Sequence, residues 1–278
     1  MLFYILGDMG SGDDSQKQVA NALSNKIGNK KTFVCGLGDN IYEHGVTSVD
    51  DEQFIKKFEG PYHQINNNVE FWMCLGNHDY GYSNLSLDPV RNAQYQIEYT
   101  KKSKKWKLPN NYYNFKKDNV EFIVIDTNFE HMDRNQIKKQ LRWAKNRIKK
   151  SKCKWKIVYG HHTFRSIAGH GNAEDDLESF LTELFTESPF DIYMCGHDHN
   201  KQLINFRINN KPLTLIVCGT GGKVYHDISD YSRMDENCDL CFVSQNLGYG
   251  SINALKNKLM ISFFDENNNL EYQHEIAK

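Results

Sequence analysis

Five strand-like segments of this sequence end at a glycine that is followed by polar, potentially metal-binding side chains. The five endings are Gly7-Asp8-Met-Gly10, Gly38-Asp39-Asn40-Ile-Tyr42, Gly76-Asn77-His78-Asp79, Gly160-His161-His162 and Gly196-His197-Asp198-His199. In an open α/β sheet, ligands bind beyond the carboxyl ends of the strands, and glycine lets the backbone turn sharply enough to present the next side chain there. One such ending means little, whereas five indicate a single site built from residues distant in sequence.

Short β-branched and aromatic runs alternate with amphipathic helical patterns along the chain. Strands are predicted over residues 2–6, 32–37, 70–75, 120–126, 156–159, 191–195 and 213–218, and a C-terminal hairpin over residues 258–265 and 270–276. Helices are predicted around residues 19–27, 134–150 and 177–185. The basic side of 134–150, and the run 101–107, are interpreted as solvated charged faces. The alternation predicts an α/β fold with largely buried sheets, in a single domain over residues 1–278.

Charge and hydrophobicity narrow the class of protein. The 278 residues include 34 Lys+Arg and 35 Asp+Glu, and the net charge of -1 argues against a strongly basic nucleic-acid surface. No apolar run approaches the roughly 20 residues that span a bilayer, and the N-terminus lacks the features of a signal peptide. The glycosylation sequon at Asn84 is weak evidence for secretion on its own.

Cysteine usage favours a reducing compartment. Seven cysteines cannot all pair, and four of them lie in apolar strand-like runs, namely Cys35, Cys74, Cys195 and Cys218. The pair Cys238-x-x-Cys241 is interpreted as a coincidence within a loop rather than a zinc or redox site. An intracellular, cytoplasmic location is therefore expected, or secretion if a signal peptide was removed.

The side chains at the strand endings are suited to a pair of metal ions. The donors are aspartates, a tyrosine, an asparagine and several histidines, which favours a borderline or hard transition metal over a thiolate zinc site. They are too many for one tetrahedral ion, so two ions that share a carboxylate fit better. Two-metal sites favour in-line displacement at phosphorus, which makes phosphoester hydrolysis the natural reaction.

These motifs also resemble a known family. The order GDMG, GDNIY, GNHD, VYGH and GHDH resembles the five-motif signature of the calcineurin-like metallophosphoesterases, and Tyr42, three residues after Asp39, resembles the purple acid phosphatases specifically. Similarity to the small, mammalian-type tartrate-resistant acid phosphatases extends through nearly the whole chain, including Gln96-Ile-Glu-Tyr99, Lys105-Trp106 and Ser166-Ile-Ala168 before His170-Gly171. The resemblance implies a four-layer α/β/β/α fold, in which a β-sandwich of two mixed sheets is flanked by helices.

The resemblance further implies a dinuclear centre and its ligands. The implied ligands of Fe(III) are Asp8, Asp39, Tyr42 and His199. The implied ligands of a divalent ion, Fe(II), Zn or Mn, are Asp39, Asn77, His161 and His197, with Asp39 bridging the two ions. His78 and His170 are expected to bind phosphate and to act as general acid. The expected activity is that of an acid phosphatase, in which a metal-bound hydroxide attacks a phosphate monoester in line.

The expected substrate is a small phosphomonoester or a phosphoprotein, and the expected state is a monomer without nucleic-acid or membrane partners. Two alternatives remain open. A Mn- or Zn-dependent metallophosphodiesterase or protein phosphatase is opposed by Tyr42 and by the absence of an Asp-Arg-Gly segment after GDN. A catalytically retired scaffold is opposed by the complete ligand set.

Three departures from the family pattern affect the expected chemistry. Gly169 replaces the glutamate that usually precedes the histidine matching His170, and His162-Thr163 replaces the usual Tyr-Pro. The span 126–137 is too short for the exposed regulatory loop of the mammalian-type enzymes, and its flanking cysteines are missing, so proteolytic activation is not implied. Lys223, Arg165 and Tyr225 are candidates for lining the pocket.

Overall fold

The described part of the chain, residues 1–81, 88–224 and 230–278 of a computed structural model, forms fourteen β-strands and five α-helices. The strands are β1 (Leu2–Leu6), β2 (Val34–Gly36), β3 (Phe71–Met73), β4 (Trp106–Lys107), β5 (Tyr113–Lys117), β6 (Val120–Val124), β7 (Trp155–Tyr159), β8 (Ile192–Cys195), β9 (Lys201–Ile208), β10 (Lys211–Cys218), β11 (Cys238–Ser244), β12 (Gly248–Ala254), β13 (Lys258–Asp265) and β14 (Leu270–Ala277). The helices are α1 (Asp14–Ile27), α2 (Asn77–Tyr80), α3 (Pro89–Tyr99), α4 (Arg134–Lys150) and α5 (Asp175–Glu187).

The strands make two seven-stranded mixed sheets. The first has the order β14-β13-β12-β1-β2-β3-β4, and the second has the order β11-β9-β10-β8-β7-β6-β5. Parallel pairs run from β1 to β4 in the first sheet and through β6, β7, β8 and β10 in the second, while the remaining pairs are antiparallel. Each sheet therefore has a parallel half, whose strands share one carboxyl edge.

A large apolar core joins the inner faces of the two sheets. Phe3 of the first sheet meets Phe122 of the second edge to face, with ring centroids 5.1 Å apart, and Phe33 approaches Phe122 at 5.6 Å. A second core lies on the outer face of the second sheet, where Leu181 of α5 and Ala144 of α4 are fully buried. The layers of a sandwich flanked by helices follow from these two cores.

The predicted strands and helices are all present, with ends that differ by a few residues. The C-terminal hairpin is also confirmed, since β13 and β14 pair antiparallel. Four cysteines predicted to be buried, at positions 35, 74, 195 and 218, are buried and unpaired. None of the described helices combines the length with the apolar character needed to cross a bilayer. The sequon at Asn84 lies outside the described residues.

Two interpretations of the sequence are wrong. The run 101–107 is not a uniformly solvated face, because Lys105 and Trp106 are buried where β4 joins the edge of the first sheet. The ammonium of Lys105 is satisfied there, since its Nζ donates to the carbonyl of Tyr62 at 2.6 Å. Cys238 and Cys241 lie on β11 rather than in a loop, and both are unpaired.

Candidate metal centre

The five strand endings predicted to form a site converge between the carboxyl edges of the two sheets. The first sheet contributes the residues after β1, β2 and β3, and the second contributes those after β7 and β8. The two sets are in contact, because the backbone N–H of His197 donates to Asp8 Oδ2 at 3.0 Å. All seven predicted metal ligands belong to this cluster. Their convergence agrees with the rule that ligands of α/β sheets gather beyond the carboxyl ends of strands.

One half of the cluster consists of Asp8, Tyr42 and His199. Tyr42 Oη donates to Asp8 Oδ1 at 2.9 Å and lies 2.9 Å from His199 Nε2, while His199 Nε2 lies 3.3 Å from Asp8 Oδ1. All three side chains are buried. Burial and the charges of Asp39 and Asp8 raise the pKa of Tyr42 well above its ordinary value. The phenol therefore keeps its proton unless a cation replaces it.

The other half consists of Asp39, Asn77, His161 and His197. His161 Nε2 lies 3.4 Å from Asp39 Oδ1, 3.0 Å from Asn77 Oδ1 and 3.2 Å from His197 Nδ1. Two oxygen atoms and one nitrogen atom, each able to bind a metal ion, thus surround a single imidazole nitrogen. Such an arrangement is typical of atoms that share a cation rather than of atoms that bond only to one another.

The orientation of His161 fits a metal ligand. Its Nδ1 donates to the Leu37 carbonyl at 2.9 Å, which places a ring proton on Nδ1 and turns Nε2 toward Asp39. Burial lowers the pKa of His161, but the charge and hydrogen bond of Asp39 outweigh this effect and raise it to about 10. Ligand atoms of Asp8, Asp39 and His161 lie within 4.8 Å of one another. The residues present therefore fit a bound metal ion, which would replace the proton on Nε2.

The backbone at the cluster is strained. Asp8, Asp39 and His197 have positive φ angles of 56°, 51° and 70°. Residues other than glycine adopt this conformation rarely, at a cost of about 1–3 kcal/mol each, and such outliers concentrate at functional sites. Three of the seven predicted ligands are thus held in conformations that the surrounding fold must impose.

His78 lies beside the tyrosine half of the cluster. Its ring centroid is 4.3 Å from that of Tyr42, its Nδ1 donates to the Glu43 carbonyl at 2.6 Å, and its Nε2 lies 3.9 Å from Asp39 Oδ2. Lys223 adds positive charge at the same place, with Nζ 2.6 Å from Glu43 Oε1 and 3.9 Å from the centre of the Tyr42 ring. Lys223 therefore lies at the tyrosine half of the cluster, and its role in lining the site stays a prediction.

His170 lies beside the other half. Its ring stacks on that of His197 at 3.9 Å, and its backbone N–H donates to Asp198 Oδ1 at 2.9 Å. The two predicted phosphate-binding histidines therefore flank the cluster, one at each half. The neighbouring Gly169 is exposed, and no atom lies within 4 Å of the position that a Cβ would take there.

Two other residues, Arg165 and Tyr225, were candidates for lining the pocket. Arg165 pairs with Glu178, with Nη2 2.8 Å from Oε1, and its guanidinium lies over the ring of Phe206. Its role is therefore to join α5 to the second sheet rather than to line the cluster. Tyr225 lies outside the described residues.

Sequence reasoning assigned no role to Asp79, which supports the site from behind. Its buried carboxylate accepts hydrogen bonds from the backbone N–H groups of Asn40, Ile41 and Gly76, at 3.0, 3.1 and 2.8 Å. Side-chain amides of Asn40 and Gln96 donate to it at 2.9 and 2.8 Å. Burial and a neighbouring carboxylate raise its pKa to about 7, against the effect of these hydrogen bonds. Its place in the GNHD motif was the only signal.

The sequence matches one protein family and is similar to several known proteins. The sequence model of one family, described as calcineurin-like phosphoesterase, matches residues 1–201. Purple acid phosphatase 4 of Arabidopsis thaliana is 27% identical over 298 residues, covering 99% of this chain and 83% of that protein. Tartrate-resistant acid phosphatase type 5 of Sus scrofa is 28% identical over 247 residues, covering 79% of this chain and 69% of that protein.

Solved structures share the fold along the whole chain. GAP50, described as the anchor in the inner membrane complex of Plasmodium, superposes with a TM-score of 0.81 at 21% identity, covering 100% of this chain and 88% of that one. Purple acid phosphatase PPD1 from yellow lupin superposes with a TM-score of 0.77 at 15% identity, covering 100% and 53%. The predicted β-sandwich of two mixed sheets flanked by helices is confirmed.

Proposed function

We propose that this chain, which belongs to the calcineurin-like phosphoesterase family, hydrolyses phosphate monoesters at two metal ions as the purple acid phosphatases do. Its relatives include plant purple acid phosphatases and mammalian tartrate-resistant acid phosphatases, which supports a hydrolase with a divalent metal centre. The observation that carries the finer proposal is the arrangement of the seven side chains. They form two groups of donors, and Asp39 lies close to members of both.

The chemistry of each group suggests its ion. Asp8, Tyr42 and His199 offer a carboxylate, a phenol and an imidazole, which together with Asp39 suit the harder Fe(III). Asn77 and two imidazoles, again with Asp39, suit Fe(II), Zn or Mn. When bound, such a pair of ions supplies Lewis acidity and a nucleophile derived from water at mild pH.

The two flanking histidines supply the remaining proposed steps. His78 is held by the Glu43 carbonyl with its Nε2 toward the cluster, so it can donate to a phosphate oxygen when protonated. His170, against His197 at the other half, can protonate the departing alkoxide. Because Gly169 carries no carboxylate beside His170, we expect leaving-group protonation to depend on that imidazole alone.

The proposal is tested by metal content, visible spectrum and turnover of 4-nitrophenyl phosphate, measured on the wild type and on Tyr42→Phe. Iron with a second metal is expected, together with a visible charge-transfer band that Tyr42→Phe abolishes, because the phenolate is the donor of that transition. Tyr62→Phe changes another buried tyrosine outside the cluster and serves as the matched control, which should keep the band.

Each other outcome selects a different function. Two colourless divalent ions with cleavage of a diester but not of a monoester would identify a metallophosphodiesterase. A preparation that loads metal and cleaves neither ester would favour a retired fold that serves as a scaffold. A protein without metal and without turnover would exclude the enzyme proposal altogether.

A further inference from the structure

His162 lies against the ligand cluster and has no role in the steps above. Its ring centroid is 4.5 Å from that of His197 and 5.1 Å from that of His161. It follows β7 and is partly exposed, whereas His161 is fully buried. The purple acid phosphatases that the sequence resembles usually have tyrosine at this position, so the imidazole is a feature of this chain.

The hydroxyl of Thr127 determines which nitrogen of His162 carries the proton. Thr127 Oγ1 accepts from the backbone N–H groups of His161 at 3.3 Å and of His162 at 3.1 Å, and it lies 2.7 Å from His162 Nδ1. A hydroxyl has two acceptor positions and one donor. Since the two N–H groups fill both acceptor positions, the hydroxyl proton must be donated to Nδ1.

A nitrogen that accepts a hydrogen bond carries no proton, so the ring of His162 is neutral and its single proton lies on Nε2. Within the described part of the chain, no residue accepts a hydrogen bond from this N–H. His78 has the opposite arrangement, because its Nδ1 donates to a carbonyl. His162 thus presents an N–H donor at Nε2 beside the imidazoles of His161 and His197.

We propose that His162 is a substrate-binding residue whose Nε2–H donates a hydrogen bond to a phosphoryl oxygen, and that Thr127 is the positioning residue that sets its tautomer. This inference rests on the proposed phosphatase function. A phosphoryl oxygen accepts hydrogen bonds, which makes it a suitable partner for this N–H. The contact therefore contributes to substrate affinity.

The tautomer is tested without metal or turnover. In ¹⁵N-labelled metal-free protein, the ring nitrogens of His162 are identified by comparison with His162→Gln, and their chemical shifts report which nitrogen is protonated. We expect an unprotonated Nδ1 and a protonated Nε2 in the wild type and in Thr127→Ser, and loss of this preference in Thr127→Val. A protonated Nδ1 in the wild type would overturn the inference.

The substrate contact is tested by calorimetric binding of inorganic phosphate to the metal-loaded protein and by turnover. His162→Leu removes the donor, and we expect the affinity for phosphate and kcat/KM each to fall about tenfold, with the change in kcat/KM mainly in KM. His162→Gln restores an N–H donor near the position of Nε2 and should recover most of the loss. Thr127→Val should lower the affinity for phosphate and kcat/KM nearly as much as His162→Leu does, whereas Thr127→Ser should lower them less.

The possible failures are distinguishable. If His162→Leu loads the same metals as the wild type and binds phosphate with unchanged affinity, the contact with His162 is excluded while the phosphatase proposal stands. A wild-type protein that loads no metal and binds no phosphate contradicts the proposed function, and the substrate contact falls with it. If His162→Leu loses metal, the residue supports the ligands rather than the substrate, which also overturns the inference.

Discussion

At Asp79, one buried carboxylate holds together the turns that follow β2 and β3. We expect Asp79→Asn to lower the free energy of unfolding by about 2–4 kcal/mol, because several buried donors lose an acceptor oxygen and an amide adds N–H groups that face them. Affinity for the divalent ion should fall about 10- to 100-fold, since the turns carry Asp39 and Asn77. Urea denaturation and metal titration measure the two effects.

The matched control is Asp176→Asn, which changes an exposed carboxylate of α5. It should leave the stability and the metal affinity close to those of the wild type. Equal behaviour of the two variants would show that Asp79 is not a structural support of the site.

Metal binding near pH 8 is expected to release a proton from His161. The ordinary pKa of a histidine side chain is about 6.5. In the folded, metal-free site the pKa of His161 is raised to about 10. The protonated imidazole of His161 therefore stabilises the metal-free fold fully below about pH 6.5, and this stabilisation is lost as pH rises toward about 10. Calorimetric titration with Zn(II) in buffers of different ionisation enthalpy counts the protons. His161→Asn should release about one fewer per ion, and identical counts would contradict this account.

The site residues were predictable to different degrees. Asp8 and His197 could be predicted because each follows a glycine at the end of an apolar run, and this pattern can be recognised from adjacent residues alone. Thr127 and Asp79 could not be assigned, because they act through hydrogen bonds to backbone groups of other turns. Spacing along the chain contains no information on which backbone N–H a side chain will meet.

The turn between β3 and α2 illustrates how closely an element must approach its neighbour. A Cβ at Gly76 would lie 2.1 Å from Asp39 Oδ1 and 2.4 Å from the backbone nitrogen of Asp39. We expect Gly76→Ala to destabilise the fold by about 1–3 kcal/mol through overpacking and to abolish metal binding by displacing Asp39. Thermal unfolding and metal analysis provide the measurements.

Gly169→Ala is the matched substitution, because a Cβ at that position meets nothing within 4 Å. It should retain wild-type stability and metal content. If Gly76→Ala also retains both, the turn is more adaptable than the contacts indicate.

Strands with clear apolar patterns could be predicted, but five others were not, and β12, β9 and β11 show why. In β12, the sequence Gly-Tyr-Gly-Ser-Ile-Asn-Ala shows no regular alternation, and its burial follows from pairing with β1 on one side and β13 on the other. In β9, Lys201 at the start of the strand is buried and pairs with Glu271, which no local pattern reveals. β11 is an edge strand whose residues are mostly half-buried, so its pattern is weak.

At the scale of the whole molecule, the aromatic residues between the sheets should make them unfold together. Phe122 contacts rings of the first sheet and stacks on Phe115 of its own sheet at 4.6 Å. We expect Phe122→Ala to lower the free energy of unfolding by about 3–5 kcal/mol while both sheets still unfold in one transition. Circular dichroism and tryptophan fluorescence should report coincident midpoints.

Leu270→Ala removes a large side chain that is exposed on β14 and should change the stability little. Separate transitions for the two probes, in the wild type or in Phe122→Ala, would contradict the expectation that residues 1–278 behave as one cooperative domain.

The central position of β1 has a consequence for synthesis of the protein. This strand pairs with β12 from Leu2 to Ile5, and the amino group of Met1 donates to the carbonyl of Ala254, 253 residues away. During translation, β1 can pair with β2 early, but its other edge stays open until most of the chain has left the ribosome. Closing so long a loop is slow, and the open edge of β1 is meanwhile a surface on which chaperones can act.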